Sequence, residues 1–117
     1  NPFYAETRYR NFMLFLLFYE LGIRRAESLV LKANHVNLHQ NPRITIEPNP
    51  GDPSDPRKDQ PLVKTAGRTL PISSLLAQTI HTYITKHRSQ VPGAKKSPFI
   101  VLESRNGQFL VGNAVMN

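Results

Sequence analysis

The chain has 117 residues, and its 15 Lys and Arg against 8 Asp and Glu give a formal net charge of +7. This length is enough for one modest hydrophobic core, so we predict a single domain over residues 1–117. The absence of cysteine excludes disulfides and thiolate metal sites. The charge favours a polyanionic partner such as nucleic acid or an anionic membrane face, although a basic soluble domain without such a partner has the same composition.

Residues 7–21 contain neither proline nor glycine and are strongly apolar, which predicts a buried helix. Thr7 can cap its first turn, and Gly22 can take the left-handed conformation after its last turn. Because residues 12–18 are apolar nearly all round, we expect this helix in the middle of the core. The apolar run is far too short to span a bilayer, so we expect no membrane partner.

Apolar residues recur at helical spacing after Gly22 and predict a second, shorter helix that ends near Lys32: Ile23, Ala26, Leu29 and Val30. Arg24 and Arg25 fall in its opening turn, where a helix dipole does not favour positive charge. Free backbone amides beside an arginine side chain would seat an anion and offset this repulsion. Simple solvent exposure of both arginines is the ordinary alternative.

Residues 43–47 alternate in polarity and predict a strand with Ile44 and Ile46 on one face. The next segment, 48–61, holds five of the ten prolines, which predicts an irregular loop with no role that we can assign.

Residues 62–64 and 68–72 are predicted to be two short strands around a tight turn, which together form a hairpin. Gly67 is free to take positive φ in that turn. Ser73 or Ser74 then caps a helix that ends near residues 88–91. Its apolar stripe is predicted to comprise Leu75, Leu76, Ile80, Tyr83 and Ile84.

Residues 99–102 are apolar and predict a buried extended segment. Together these elements predict an α+β fold that is mostly helical, with a small antiparallel sheet or hairpin. The four histidines, His35, His39, His81 and His87, have no convincing metal-ligand spacing, and we interpret them as ordinary surface residues.

The order of these elements and two motifs resembles the catalytic domain of tyrosine recombinases, also called phage integrases. The first motif is Gly-Ile-Arg-Arg-Ala-Glu at residues 22–27. The second is Lys-Thr-Ala-Gly-Arg at residues 64–68, followed by Leu-Pro-Ile-Ser at residues 70–73. The resemblance spans nearly the whole chain and implies site-specific DNA recombination through a 3′-phosphotyrosyl intermediate.

The resemblance assigns catalytic roles to Arg24 and Lys64. Arg24 would contact the scissile phosphate with its guanidinium fork, and Lys64 would protonate the leaving 5′ oxygen as general acid. Glu27 would support a basic side chain, while Arg25 and Arg68 would contact DNA. Each residue also has a plain alternative as a surface charge, and Lys64 has one as a lysine that blocks sheet extension.

The family's second half, an His-x-x-Arg box, a further His or Trp and the tyrosine nucleophile, has no match in this sequence. No histidine is followed three positions later by arginine, and the four tyrosines fall in the part that resembles the early family region. We therefore expect an incomplete, inactive fragment, cut before that box. Such a fragment should expose an apolar patch that is able to self-associate.

The resemblance further implies double-stranded DNA as partner, a parent protein that assembles as a tetramer on DNA, and no metal or nucleotide cofactor. It implies a cytoplasmic, nucleoid-associated protein of a bacterium or phage. The alternative is a non-catalytic basic DNA-binding module or a degenerate recombinase remnant. The recombinase interpretation predicts that Arg24 and Lys64 point into one concave basic face, whereas an unrelated domain has no reason to bring them together.

Overall fold

The computed structural model describes residues 4–49, 52–55, 57, 60, 63 and 66–102. These residues form an α+β fold with three helices and one three-stranded antiparallel sheet. The helices are α1 (Tyr4–Leu21), α2 (Arg25–Leu29) and α3 (Ser74–Thr82), and the strands are β1 (Val36–Asn37), β2 (Arg43–Ile46) and β3 (Arg68–Pro71). Short 3₁₀ turns cover Ala33–His35, Arg88–Gln90 and Ala94–Lys96, and a π-helical turn covers Tyr83–His87.

Helix α1 starts at Tyr4, three residues earlier than predicted, so Thr7 lies inside the helix and is not its cap. Its end is as predicted. Gly22 has φ +63°, and its amide donates to the carbonyl of Phe18 at 2.9 Å, which closes the helix with a left-handed residue. The chain therefore turns sharply at Gly22 and enters α2.

The prediction that α1 is buried all round was wrong. Met13, Leu14 and Leu17 face the core and are at most 2% exposed, whereas Phe12, Phe15 and Tyr19 are 45%, 58% and 79% exposed. A run of apolar side chains has no periodicity to indicate which of them faces water, so the sequence could not distinguish the two faces.

The sheet has the order β1-β2-β3, and both pairs are antiparallel. Ile44 and Ile46 of β2 are buried, as their alternation predicted. On the opposite face the hydroxyls of Thr45 and Thr69 lie 3.3 Å apart across the strands. Strand β1 was not predicted, because the segment before it was interpreted as the exit of a helix, whereas α2 ends at Leu29.

The predicted hairpin is only partly covered by the structure. β3 is a strand as predicted, and it pairs with β2. Val63 is buried but belongs to no strand, and Leu62 and Lys64 lie outside the described residues. Gly67 does not have the positive φ that was predicted. It allows a close approach instead, since a Cβ there would lie 3.3 Å from the carbonyl oxygen of Ile46.

Helix α3 begins as predicted, with Ser73 as its cap. The Ser73 side chain accepts from the Leu76 amide at 3.1 Å. The Glu20 carboxylate accepts from the Ser73 amide at 2.8 Å and from its hydroxyl at 2.5 Å, which joins the end of α1 to the start of α3. Leu76, Ile80 and Tyr83 are buried, but Leu75 is exposed, contrary to the predicted stripe.

The last described segment, residues 97–102, packs against the exit of α2. The Ile100 amide donates to the carbonyl of Leu31 at 3.0 Å, and Phe99 pairs with Lys32. Residues 99–102 are all buried, so the predicted buried extended segment is confirmed. The described residues of the proline-rich loop, between 48 and 60, form no helix or strand, as predicted.

Candidate nucleic-acid interface

The junction between α1 and α2 directs two arginines outward. Ile23 on one side and Leu29 on the other are buried, so the helix has its apolar anchors in the core. Arg24, the residue before α2, is extended with φ −80° and ψ 155°, and both Arg24 and Arg25 are exposed. The alternation of buried and exposed positions follows from the helical spacing that the sequence showed.

Glu27 lies behind these arginines and is 1% exposed. Its Oε1 accepts from the Arg24 amide at 2.7 Å and from an Arg68 guanidinium nitrogen at 3.1 Å. Its Oε2 accepts from the second terminal nitrogen of Arg68 at 2.7 Å. The carboxylate therefore fixes the backbone of Arg24 in the manner of a capping box and binds Arg68 with both oxygens.

This contact joins segments that are 41 residues apart in sequence. Glu27 belongs to α2 and Arg68 opens β3, so the ion pair connects the helix to the sheet. The Arg68 side chain keeps 37% of its surface exposed while that of Glu27 keeps 2%. The hydrogen bonds from Arg68 to Glu27, together with the negative charge, raise the pKa of Arg68. The pair is thus a buried anion held by a cation at the surface.

Three of the five predicted site residues, Arg24, Glu27 and Arg68, are therefore joined by hydrogen bonds. Arg25 is adjacent in sequence and exposed. Lys64 lies outside the described residues, so its prediction stays a prediction. The Arg24 amide is occupied by Glu27, and α2 has only five residues, so this helix start does not present a free row of amides to an anion.

The chain that leads toward Lys64 is fixed at two points that the sequence did not reveal. Asp55 and Arg57 form a buried ion pair with a 2.6 Å contact, and the Arg57 guanidinium lies 4.4 Å from the centre of the Phe99 ring. The Val63 amide donates to the Asn49 side chain at 2.7 Å. The Asp-x-Arg spacing at 55–57 was the available signal. It was missed because segment 48–61 was interpreted from its proline content alone.

A cleft of about 280 Å³ lies between the exit of α2 and the start of the proline-rich loop. Its charged side chains are already paired: Lys32 with Asp52 at 2.8 Å, and His35 with Glu47 at 3.2 Å. The His35 ring accepts from the Lys32 amide through Nδ1 at 3.0 Å, so both ring nitrogens are occupied. Among the described residues that line the cleft, each charged side chain therefore has a partner, and the Lys32–Asp52 pair ties the loop to the chain after α2.

No protein-family model, no curated protein and no solved structure matches this chain. Within the residues that the structure describes, no helix is long and apolar enough to cross a membrane.

Proposed function

We propose that this chain supplies the first half of the catalytic domain of a tyrosine site-specific recombinase and binds double-stranded DNA through the face that carries Arg24. The observation that supports this most is the Glu27 carboxylate, which holds the Arg24 backbone and the Arg68 guanidinium together. The two motifs that carry the resemblance are thereby in contact.

The exposed Arg24 side chain is suited to bind two non-bridging phosphate oxygens. Lys64 precedes Arg68 by four residues, a stretch of chain that spans at most about 14 Å. We propose that Lys64 reaches a phosphate bound at Arg24 and acts there as general acid. In the reaction, a tyrosine hydroxyl attacks phosphorus, the bond to the 5′ oxygen breaks, and Lys64 gives that oxygen its proton.

The tyrosine nucleophile and the second arginine box have no match in the printed sequence, so the chain alone is proposed to bind DNA without cutting it. The complete enzyme is proposed to act as a tetramer on DNA in a bacterial or phage setting, without metal or nucleotide cofactor.

DNA binding by arginine variants tests the interface. Arg24→Lys keeps the charge and removes the guanidinium fork, so it should weaken binding of a 20-base-pair duplex about tenfold. Arg43→Lys is the matched control, because Arg43 is an exposed arginine of β2 that bonds only loop carbonyls among the described residues. It should leave affinity unchanged. Equal affinities for the two variants would favour a non-catalytic basic module instead.

The recombinase assignment has a separate test in the gene that encodes this chain. We expect the gene to encode His-x-x-Arg and a later tyrosine after the codon for Asn117. A longer protein with these residues should form a covalent adduct with a nicked DNA substrate, and Lys64→Ala should remove the adduct. A frame that encodes neither would contradict the assignment while leaving DNA binding to be judged by the arginine variants.

A further inference from the structure

Helix α1 carries an aromatic ridge, which we define as Phe12, Phe15 and Tyr19. The three side chains are 45%, 58% and 79% exposed, and the rings of Phe15 and Tyr19 stack with centroids 5.7 Å apart. They belong to a helix whose opposite face, with Met13, Leu14 and Leu17, already fills the core. Among the described residues, the ridge therefore lies outside the hydrophobic core.

The ridge has the spacing of a helix–helix seam. Residues 12, 15 and 19 follow the i, i+3, i+7 pattern, and the same seam extends backward to Arg8 and Ala5, both exposed. Gly22, also exposed, follows in the same spacing directly after the helix. The stripe thus has aromatic rings in its middle and a small residue at each end.

We propose that the aromatic ridge binds the ridge of a second copy of this chain, with the two α1 helices antiparallel about a two-fold axis. The stripe is complementary to itself in that orientation. With the axis midway between Phe12 and Phe15, Phe12 of each copy packs against Phe15 of the other copy. Two Phe12–Phe15 contacts therefore form at the centre of the interface. Arg8 then lies against Tyr19 of the second copy, a favourable cation–aromatic pair. Ala5 meets Gly22, which lets the helix ends approach closely.

A parallel arrangement lacks this complementarity. It would place Arg8 against Arg8 and Tyr19 against Tyr19, so that two like charges would face each other at one end of the seam.

The exposed part of the three aromatic residues amounts to roughly 350 Å² per chain, taking about 200 Å² for a whole aromatic side chain. Two copies would therefore bury about 700 Å² of aromatic surface, which is below the size of a permanent interface. We infer a weak, concentration-dependent dimer, and this inference is independent of the recombinase assignment.

Sedimentation equilibrium of the 117-residue chain from about 10 µM to about 1 mM tests association. The average mass should rise with concentration from 13.3 kDa toward twice that value. Phe15→Glu should keep the protein at the monomer mass over the whole range, because it places two charges in the aromatic centre. Gln78→Glu, on the exposed side of α3, adds the same charge away from the ridge and should not change the association. A wild-type chain that stays monomeric at 1 mM would overturn the proposal.

Disulfide cross-linking tests the orientation of the two helices. Because the chain has no native cysteine, an introduced cysteine is the only thiol in each variant. Arg8→Cys and Tyr19→Cys are prepared as separate proteins and oxidised alone or mixed. The antiparallel dimer predicts a disulfide-linked dimer mainly in the mixture. Efficient cross-linking of each variant with itself would show a parallel pair and contradict the proposed register. Gln78→Cys mixed with Arg8→Cys is the control and should give only background.

Discussion

At the scale of single residues, Glu27 is the side chain on which the candidate interface depends. It is a buried carboxylate that forms an ion pair with Arg68 and accepts a hydrogen bond from the Arg24 backbone amide. A buried charge is tolerated only when it is paired and hydrogen-bonded, so neither partner can be removed without cost to the fold.

Removing Arg68 should therefore be worse than neutralising Glu27. Arg68→Ala leaves a carboxylate buried without its main cation, and we expect a loss of about 2 kcal/mol in the free energy of unfolding, less than for a fully buried pair because Arg68 is partly exposed. Glu27→Gln keeps an oxygen for the Arg24 amide and should lose about 1 kcal/mol. Urea denaturation of both variants measures these losses.

The double variant completes this test as a mutant cycle. In the Glu27→Gln background, Arg68→Ala no longer leaves an unpaired buried carboxylate. The combined loss in the free energy of unfolding should therefore be smaller than the sum of the two single losses by about 1 kcal/mol. Strictly additive losses would mean that the ion pair contributes nothing to stability.

At the scale of elements, two arginines hold the extended segment 97–102 against the helices. Arg88, just after the π-helical turn, donates through Nε to the carbonyls of Phe99 and Ile100 at 3.1 and 3.0 Å, and through a terminal nitrogen to Ser97 at 3.0 Å. Arg10 of α1 donates to the carbonyl of Leu102 at 3.1 Å. Burial lowers the pKa of Arg88, as expected for a cation that is solvated mainly by carbonyl groups.

Arg88→Met should release this segment. Methionine fills much of the same volume but leaves the carbonyls of Ser97, Phe99 and Ile100 without their donor, and we expect a loss of about 2 kcal/mol. Relative to the wild type, the variant should show faster hydrogen exchange at the Ile100 amide, which donates to the Leu31 carbonyl. The rate at the Leu76 amide in α3 should stay unchanged. Unchanged exchange at Ile100 would show that apolar burial and the Arg10–Leu102 hydrogen bond hold the segment without Arg88.

The elements differ in how far the sequence determined them. The start of α3 and the strand β2 were predictable, because a serine cap and an alternation of polarity are local signals. The two faces of α1 were not, since seven consecutive apolar residues carry no information on exposure. Gly67 was assigned positive φ from its place in a turn, while its actual constraint comes from Ile46 on a neighbouring strand.

At the scale of the whole molecule, acid should weaken the fold through the Lys32–Asp52 pair. The hydrogen bond from Lys32 lowers the pKa of Asp52 from 3.8 to about 2, with further help from Ser54. A carboxyl group with a depressed pKa stabilises the folded state above pH 3.8, and this contribution disappears as the pH falls from about 4 to about 2. Because the pair lies near the surface, we expect it to contribute about 1 kcal/mol.

Asp52→Asn isolates that contribution, because asparagine keeps an oxygen for the Ser54 amide and loses the charge. The variant should be less stable than the wild type at pH 6, and the difference should shrink steadily as the pH falls from about 4 to about 2, as measured by urea denaturation. A difference that persists unchanged at pH 2 would assign the effect to packing and not to the charge.

The candidate site shows the same division between local and distant signals. Arg24, Arg25 and Glu27 could be found from the sequence, because they lie within one short motif after a helix-ending glycine. That Glu27 binds Arg68 could not, since 41 residues separate them and no local pattern indicates a pair. The Asp55–Arg57 pair is close in sequence, but its burial involves Phe99, more than forty residues later, so no local pattern could show that it is buried.

The shared Glu27 carboxylate also has an evolutionary consequence. A change at position 68 leaves a buried anion without its cation, and a change at position 27 removes the partner of Arg68 and the acceptor of the Arg24 amide. Neither step is easily tolerated alone. In a future alignment of relatives of this chain, positions 27 and 68 should therefore co-vary, with acid and base retained together or replaced together, whereas Arg43 should vary without regard to either.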